Sequence, residues 1–243
     1  IKNGNISEGR LQDSRLPYPL DHLHGKFFCD NSKLQLRELV ATSGSTTLTL
    51  GTDICGFTPD VPITIAASAT NLELDRRLYD SLPAAWRTYW DRLQLEGTAD
   101  AEVNLIFDGK KWSTVAIFDC RSISMTPWLF PYPLENVTGK VMYAEGTVRS
   151  EMLSGMAGGQ PVQGAVQLAS AGGGQWVGEI ECRTLGAIAV DEKLLSALTP
   201  VGAPRSAAET FVRTLHPAGV VQLTKATFKR SATPGDTWHR TID

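Results

Sequence analysis

One stretch of this chain occurs twice. Residues 16–26 read LPYPLDHLHGK and residues 130–140 read FPYPLENVTGK, so that Pro17, Tyr18, Pro19, Leu20, Gly25 and Lys26 return as Pro131, Tyr132, Pro133, Leu134, Gly139 and Lys140, at an offset of 131 − 17 = 114. Proline holds φ at about −65° and has no N–H to give to a ladder, so each Pro-Tyr-Pro predicts an extended lead-in with a strand starting after it. Other landmarks keep a similar spacing. Leu74-Asp75 followed by RRLYDSLP returns as Val190-Asp191 followed by EKLLSALTP (190 − 74 = 116), and Leu93 and Gly97 return as Leu215 and Gly219 (215 − 93 = 122). Self-similarity at a fixed period marks a repeated supersecondary unit. Here the unit is strands, then a helical hairpin, then strands, dividing the chain into residues 1–123 and 124–243, with a longer helix connection at 199–203 stretching the second copy.

Within each unit the hydrophobic period separates strands from helices. Strands are predicted at 23–29, 33–42, 46–50 and 61–69, the last alternating Val61, Ile63, Ile65, Ala67 and Ala69 against Thr64, Ser68 and Thr70. At Leu74 the period lengthens: Leu74, Leu78 and Leu82 share a helix face, with Asp75 as the cap and Pro83 as the stop. A second helix runs from Pro83 through Arg92, and its Trp86, Tyr89 and Trp90 stand at helical spacing, which points to core. Strands at 95–107 and 111–122 flank Asp108-Gly109, a tight-turn dipeptide. The second copy repeats this with strands at 138–144, 147–153, 160–169 and 175–189, helices at 191–198 and 204–215 with Phe211 in the core, and a last strand at 219–229. Trp176, Ile180 and Cys182 share one face of their strand, with Glu179, Glu181 and Arg183 on the other. The run Gly172-Gly173-Gly174 lacks the Lys-Ser/Thr of a phosphate loop and reads as a hairpin tip. The closing SATPGDTWHRTID reads as a frayed end or the start of a further unit, and IKNGNIS as the tail of a strand in a longer repeat protein.

A net charge of −3 and a pI near 5.8 argue against nucleic acid, which demands clustered Lys and Arg. No apolar run approaches the roughly 18 residues of a membrane-spanning helix. Cys29, Cys55, Cys120 and Cys182 are scattered, with no CxxC pair and no His at ligand spacing, so they are expected as buried free thiols rather than a metal site. Asp21 with Asp30, or Glu135 with Glu145, could pair as acid and base, but solvated acids at hairpin tips are routine. His22, His24, His216 and His239 have no serine in a nucleophile setting. Neither a catalytic residue nor a cofactor is expected.

The stretch YPLENVTGKVMYAEGTVRSEMLSGMAGGQPVQGAVQL resembles the repeating pattern of AsmA-like and TamB-like envelope proteins. The resemblance implies an elongated, curved antiparallel sheet with an apolar concave face, as in the repeating β-groove of bridge-like lipid transfer proteins. It further implies phospholipid transport or outer-membrane assembly in the periplasm and cell envelope. The implied partners are phospholipid acyl chains and envelope membrane proteins, and membrane anchoring would come from other parts of a longer chain. Candidate groove residues are Ile63, Ile65, Val166, Leu168, Trp176 and Ile180. The competing expectation is a non-catalytic structural or interaction module whose helices seal this face as a core.

Overall fold

The structure is a computed structural model that describes every residue except 1, 13–18, 59, 83 and 173, and the side chain of Ala85. Pro17 and Tyr18 of the first motif, Pro83 and Gly173 therefore lie outside the described residues. In chain order the elements are β1 (Lys2–Leu11), β2 (Leu20–Cys29), β3 (Leu34–Ser43), β4 (Thr46–Ile54), β5 (Ile63–Leu74), α1 (Arg76–Ser81) and α2 (Ala84–Leu93). There follow β6 (Glu96–Phe107), β7 (Trp112–Met125), β8 (Leu134–Ala144), β9 (Thr147–Ala157), β10 (Gln160–Gly172) and β11 (Gln175–Thr184). The last are β12 (Ile188–Ala189), α3 (Glu192–Ala197), α4 (Ala207–Thr214), β13 (Val220–Val221), β14 (Ala226–Arg230) and β15 (His239–Ile242). The fold is mainly β with short helices. Thirteen strands form one antiparallel sheet ordered β1 through β11, then β14 and β15, while β12 and β13 pair with each other.

With β12 and β13 set aside, an order of four strands, two helices and two strands occurs twice: β2 to β7, then β8 to β15. Local geometry recurs with it. Asp75 and Asp191 are both extended N-caps, at φ −115° and −122°, and accept from the backbone N–H of Leu78 and Leu194 respectively. Gln94 and His216 take left-handed φ of 51° and 46° just behind α2 and α4, where a helix is commonly stopped. Residues 82–83 join α1 to α2, whereas residues 198–206 join α3 to α4, which accounts for the longer second offset.

By internal contacts the chain divides into two compact units. One comprises Ile1–Leu82, Thr98–Asp119 and Val141–Gly146, the other Pro83–Gly97, Cys120–Lys140 and Thr147–Asp243. In the first unit β1 to β5 pair successively. Glu8, His22 and Glu38 stand at φ 51° where the register slips by a residue. Such bulges let Leu34 and Leu36 share a face with Leu39 and Ala41 despite the change of parity.

The second unit has a layered core. Residues 126–133 carry three prolines and make no strand; the N–H groups of Thr126 and Trp128 instead donate to the carbonyls of Leu93 (2.8 Å) and Arg92 (2.9 Å) at the end of α2. This segment buries Leu129 and Tyr132. Tyr132 clusters with Ala157, Ile188, Leu194 and Ala197, and Leu129 with Ala226 and Phe228, while Phe130 packs on both clusters. Burying one such side chain contributes about 1.5–3 kcal/mol, so these two clusters hold the α3 hairpin and the proline segment onto the sheet.

Several expectations are corrected. The strand predicted at 175–189 stops at Thr184, and the one at 219–229 splits, because Ile188 and Ala189 leave the large sheet to pair with Val221 and Val220 in a separate two-stranded one. The C-terminal stretch is not frayed: His239–Ile242 pairs with β14. Trp86 and Phe211 are not core, being 40% and 64% exposed. In α4 the buried position is Glu209, whose carboxylate meets Arg213, and at 100° per residue this turns Phe211 roughly 200° away from it. The four cysteines form no disulfide, but only Cys120 is buried; Cys29 and Cys182 are half-buried, and Cys55 is exposed because β4 ends before it.

Candidate functional site

Ile63 and Ile65 lie in the first unit, opposite Ile54 and Thr52 of β4. Their face continues through Leu50 and Leu48 on β4, then Leu34, Leu36 and Leu39 on β3. All of these large side chains are half-buried. Among the described residues of this unit, the buried hydrophobics are alanines: Ala41, Ala69, Ala99, Ala101 and Ala116. A sheet face under a packed second layer would bury its leucines and isoleucines at least as deeply as its alanines. This one leaves them in partial contact with solvent.

The other four candidates lie in the second unit and share one face by register. Val166 opposes Ile180, Leu168 opposes Gly178, Ser170 opposes Trp176, and Ile180 in turn opposes Phe228 of β14. Over this face lies a cavity of about 200 Å³, walled below by Val166, Ile180 and Phe228 and above by Leu129, Phe130 and Tyr132 of the proline segment. Leu168 does not line it. Trp176 belongs to a neighbouring pocket of about 230 Å³ and is covered by Tyr89 of α2, edge-on at 5.5 Å between ring centroids. Sequence reasoning thus missed the upper wall. Its signal was Trp128-Leu129-Phe130, three large apolar residues in a segment that prolines keep out of the sheet and that must therefore lie against an apolar surface.

The cavity has little polar chemistry. Cys182 lines it, and burial pushes its thiol above the ordinary range, away from the reactive thiolate. Burial, with the Asp191 charge second, likewise raises the Tyr132 hydroxyl. The acids weighed from sequence hold local structure. Asp30 accepts from the N–H groups of Ser32 and Lys33 across the β2–β3 turn, bonds that hold its carboxyl below the usual range. Asp21 pairs with Arg10 at 3.1 Å, and Glu145 accepts from the Thr114 N–H at 3.0 Å. His22 meets Glu8, His24 meets the His22 carbonyl, His216 the Thr214 carbonyl, and His239 meets Asp236.

No family model, curated protein or solved structure matches the chain.

Proposed function

We propose that this chain is a segment of an AsmA-like or TamB-like envelope protein that offers its apolar sheet faces to phospholipid acyl chains. The observation that carries this reading is the face of β3 to β5, where Leu48, Leu50, Ile63 and Ile65 are half-buried while the fully buried neighbours are the small side chains of Ala41, Thr46 and Ala69. An acyl chain laid along such a face gains roughly 0.8 kcal/mol per buried methylene and demands no polar recognition. The cavity over Val166 and Ile180 is a second apolar space of the same chemistry.

The structural-module reading draws on the second unit, where Leu129, Tyr132, Ile188 and Phe228 form an ordinary covered core. Native mass spectrometry of protein purified without detergent separates the two. Copurified phospholipid, displaced when Ile65 is replaced by arginine, is the expected result. A chain that carries no lipid and takes none up from vesicles would reject the acyl-chain reading and leave the module.

A further inference from the structure

The pocket beside the apolar cavity has an unlike lining: Arg92, Arg230, Gln175 and the indoles of Trp128, Trp176 and Trp238. No carboxylate lines it. Among the described residues neither guanidinium has an acidic partner. Arg92 lies 5.5 Å from the Trp128 ring centroid, and Arg230 donates to the Asp236 backbone carbonyl (3.0 Å) and to the Gln175 side chain. The Trp176 indole nitrogen is buried and has no hydrogen-bond partner, a donor whose desolvation nothing offsets. Two cations without an acidic partner line a space several times the roughly 30 Å³ share of one water.

Register places this pocket next to the cavity. On β14, Phe228 and Arg230 are two residues apart and so point to the same face; on β11, Ile180 and Trp176, four residues apart, also share a face. Ile180 and Phe228 line the apolar cavity, Trp176 and Arg230 line the cationic pocket, and Trp128 borders both. Two residues along a strand span about 7 Å, so apolar and cationic surfaces succeed each other over the length of a head-group linkage.

We infer that the pocket formed by Arg92, Arg230 and Trp176 seats the anionic head, phosphate or carboxylate, of an amphiphile whose acyl chain enters the cavity over Ile180 and Phe228. This rests on the acyl-chain reading above and adds to it a charge preference and a polarity. The guanidiniums supply charge-assisted bonds to the head's oxygens, and the indole faces cover the first methylenes.

The test titrates the full chain with decyl phosphate, decanol and inorganic phosphate, read by calorimetry and tryptophan fluorescence. Decyl phosphate is expected to bind at least about tenfold more tightly than decanol, a ratio that shrinks with added salt. The preference should vanish in Arg92→Gln/Arg230→Gln and return in part in Arg230→Lys. Should the double variant lose its circular dichroism, the salt dependence of the unaltered protein and Arg92→Gln alone carry the test. Equal affinity for decyl phosphate and decanol overturns the head-group site while leaving the acyl-chain reading standing. So does a preference that survives both substitutions. Inorganic phosphate binding as tightly as decyl phosphate makes this a free-anion site and overturns the amphiphile. Binding of neither chain-bearing probe rejects the acyl-chain reading and this inference together.

Discussion

The Nε of Arg213 lies 2.7 Å from Oε1 of Glu209, one turn earlier in α4, and the Glu209 side chain is only 6% exposed. Thr199 donates to the other carboxylate oxygen and accepts from the Ser206 N–H, tying the long connection between α3 and α4 to the cap of α4. The Thr199 bond first, then Arg213, hold the Glu209 carboxyl below its ordinary value. Glu209 is therefore still ionised in the folded protein at a pH where the unfolded chain has taken up a proton. Its contribution is complete above the ordinary carboxylate value and is lost as pH falls through the depressed one. Melting temperatures from about pH 7 down to about pH 3 should fall less steeply in Glu209→Gln than in the unaltered chain; parallel curves would refute the assignment.

Gly158 stands at φ 54°, and a Cβ there would lie 2.5 Å from the Tyr132 hydroxyl; Gly159, at φ 77°, has open space at that point. Gly159→Ala should cost only the backbone strain, about 1–2 kcal/mol. Gly158→Ala should cost about 1–3 kcal/mol more, since Tyr132 belongs to a packed cluster and cannot swing aside freely. Denaturant midpoints of the two variants measure the difference.

Asp75 and Asp191 make the same capping bond, but α1 buries none of its residues whereas α3 buries Leu194, Leu195 and Ala197. Each alanine substitution removes about 1 kcal/mol of cap. At Asp191 the loss should appear in the global midpoint. At Asp75 it should appear as faster amide exchange within α1 with little global change.

Ile65 and Ile180 give contrasting tests of cover. Arginine at Ile65 should cost little stability, because its guanidinium can reach the solvent that already touches this face. Arginine at Ile180 sits against Leu129 and Phe228 under the proline segment and should cost several kcal/mol as an unpaired buried charge, about 3–5 by analogy with broken buried pairs. Equal melting shifts would mean that both faces are alike.

Native thiol labelling should order the cysteines by access, with Cys55 fastest, Cys29 and Cys182 intermediate and Cys120 slowest. Cys120 reacting first would contradict its burial.

What was legible beforehand followed from local chemistry. Asp75, Asp191 and the helices behind them were readable because a cap is a contact within four residues, and the strands following each proline pair because proline acts on its own backbone. Bulges were harder to read: Glu38 in left-handed conformation shifts the alternation between Leu36 and Leu39, so strict period two loses the face halfway along β3. The covering of one face was not readable at all. It depends on residues 126–133 lying back over strands far from them in sequence, and on Glu209 rather than Phe211 turning inward.

The half-buried leucines and isoleucines of β3 to β5 also bear on calorimetry. Heat capacity of unfolding arises from apolar surface newly shown to water, at about +0.45 cal/K/mol per Å². Side chains that are already wetted in the native state contribute less of it. The first unit should thus give a shallower curve of stability against temperature than its residue count implies. A bound acyl chain would restore the missing heat capacity, so the curvature of that plot reports occupancy of the face without any label on the lipid.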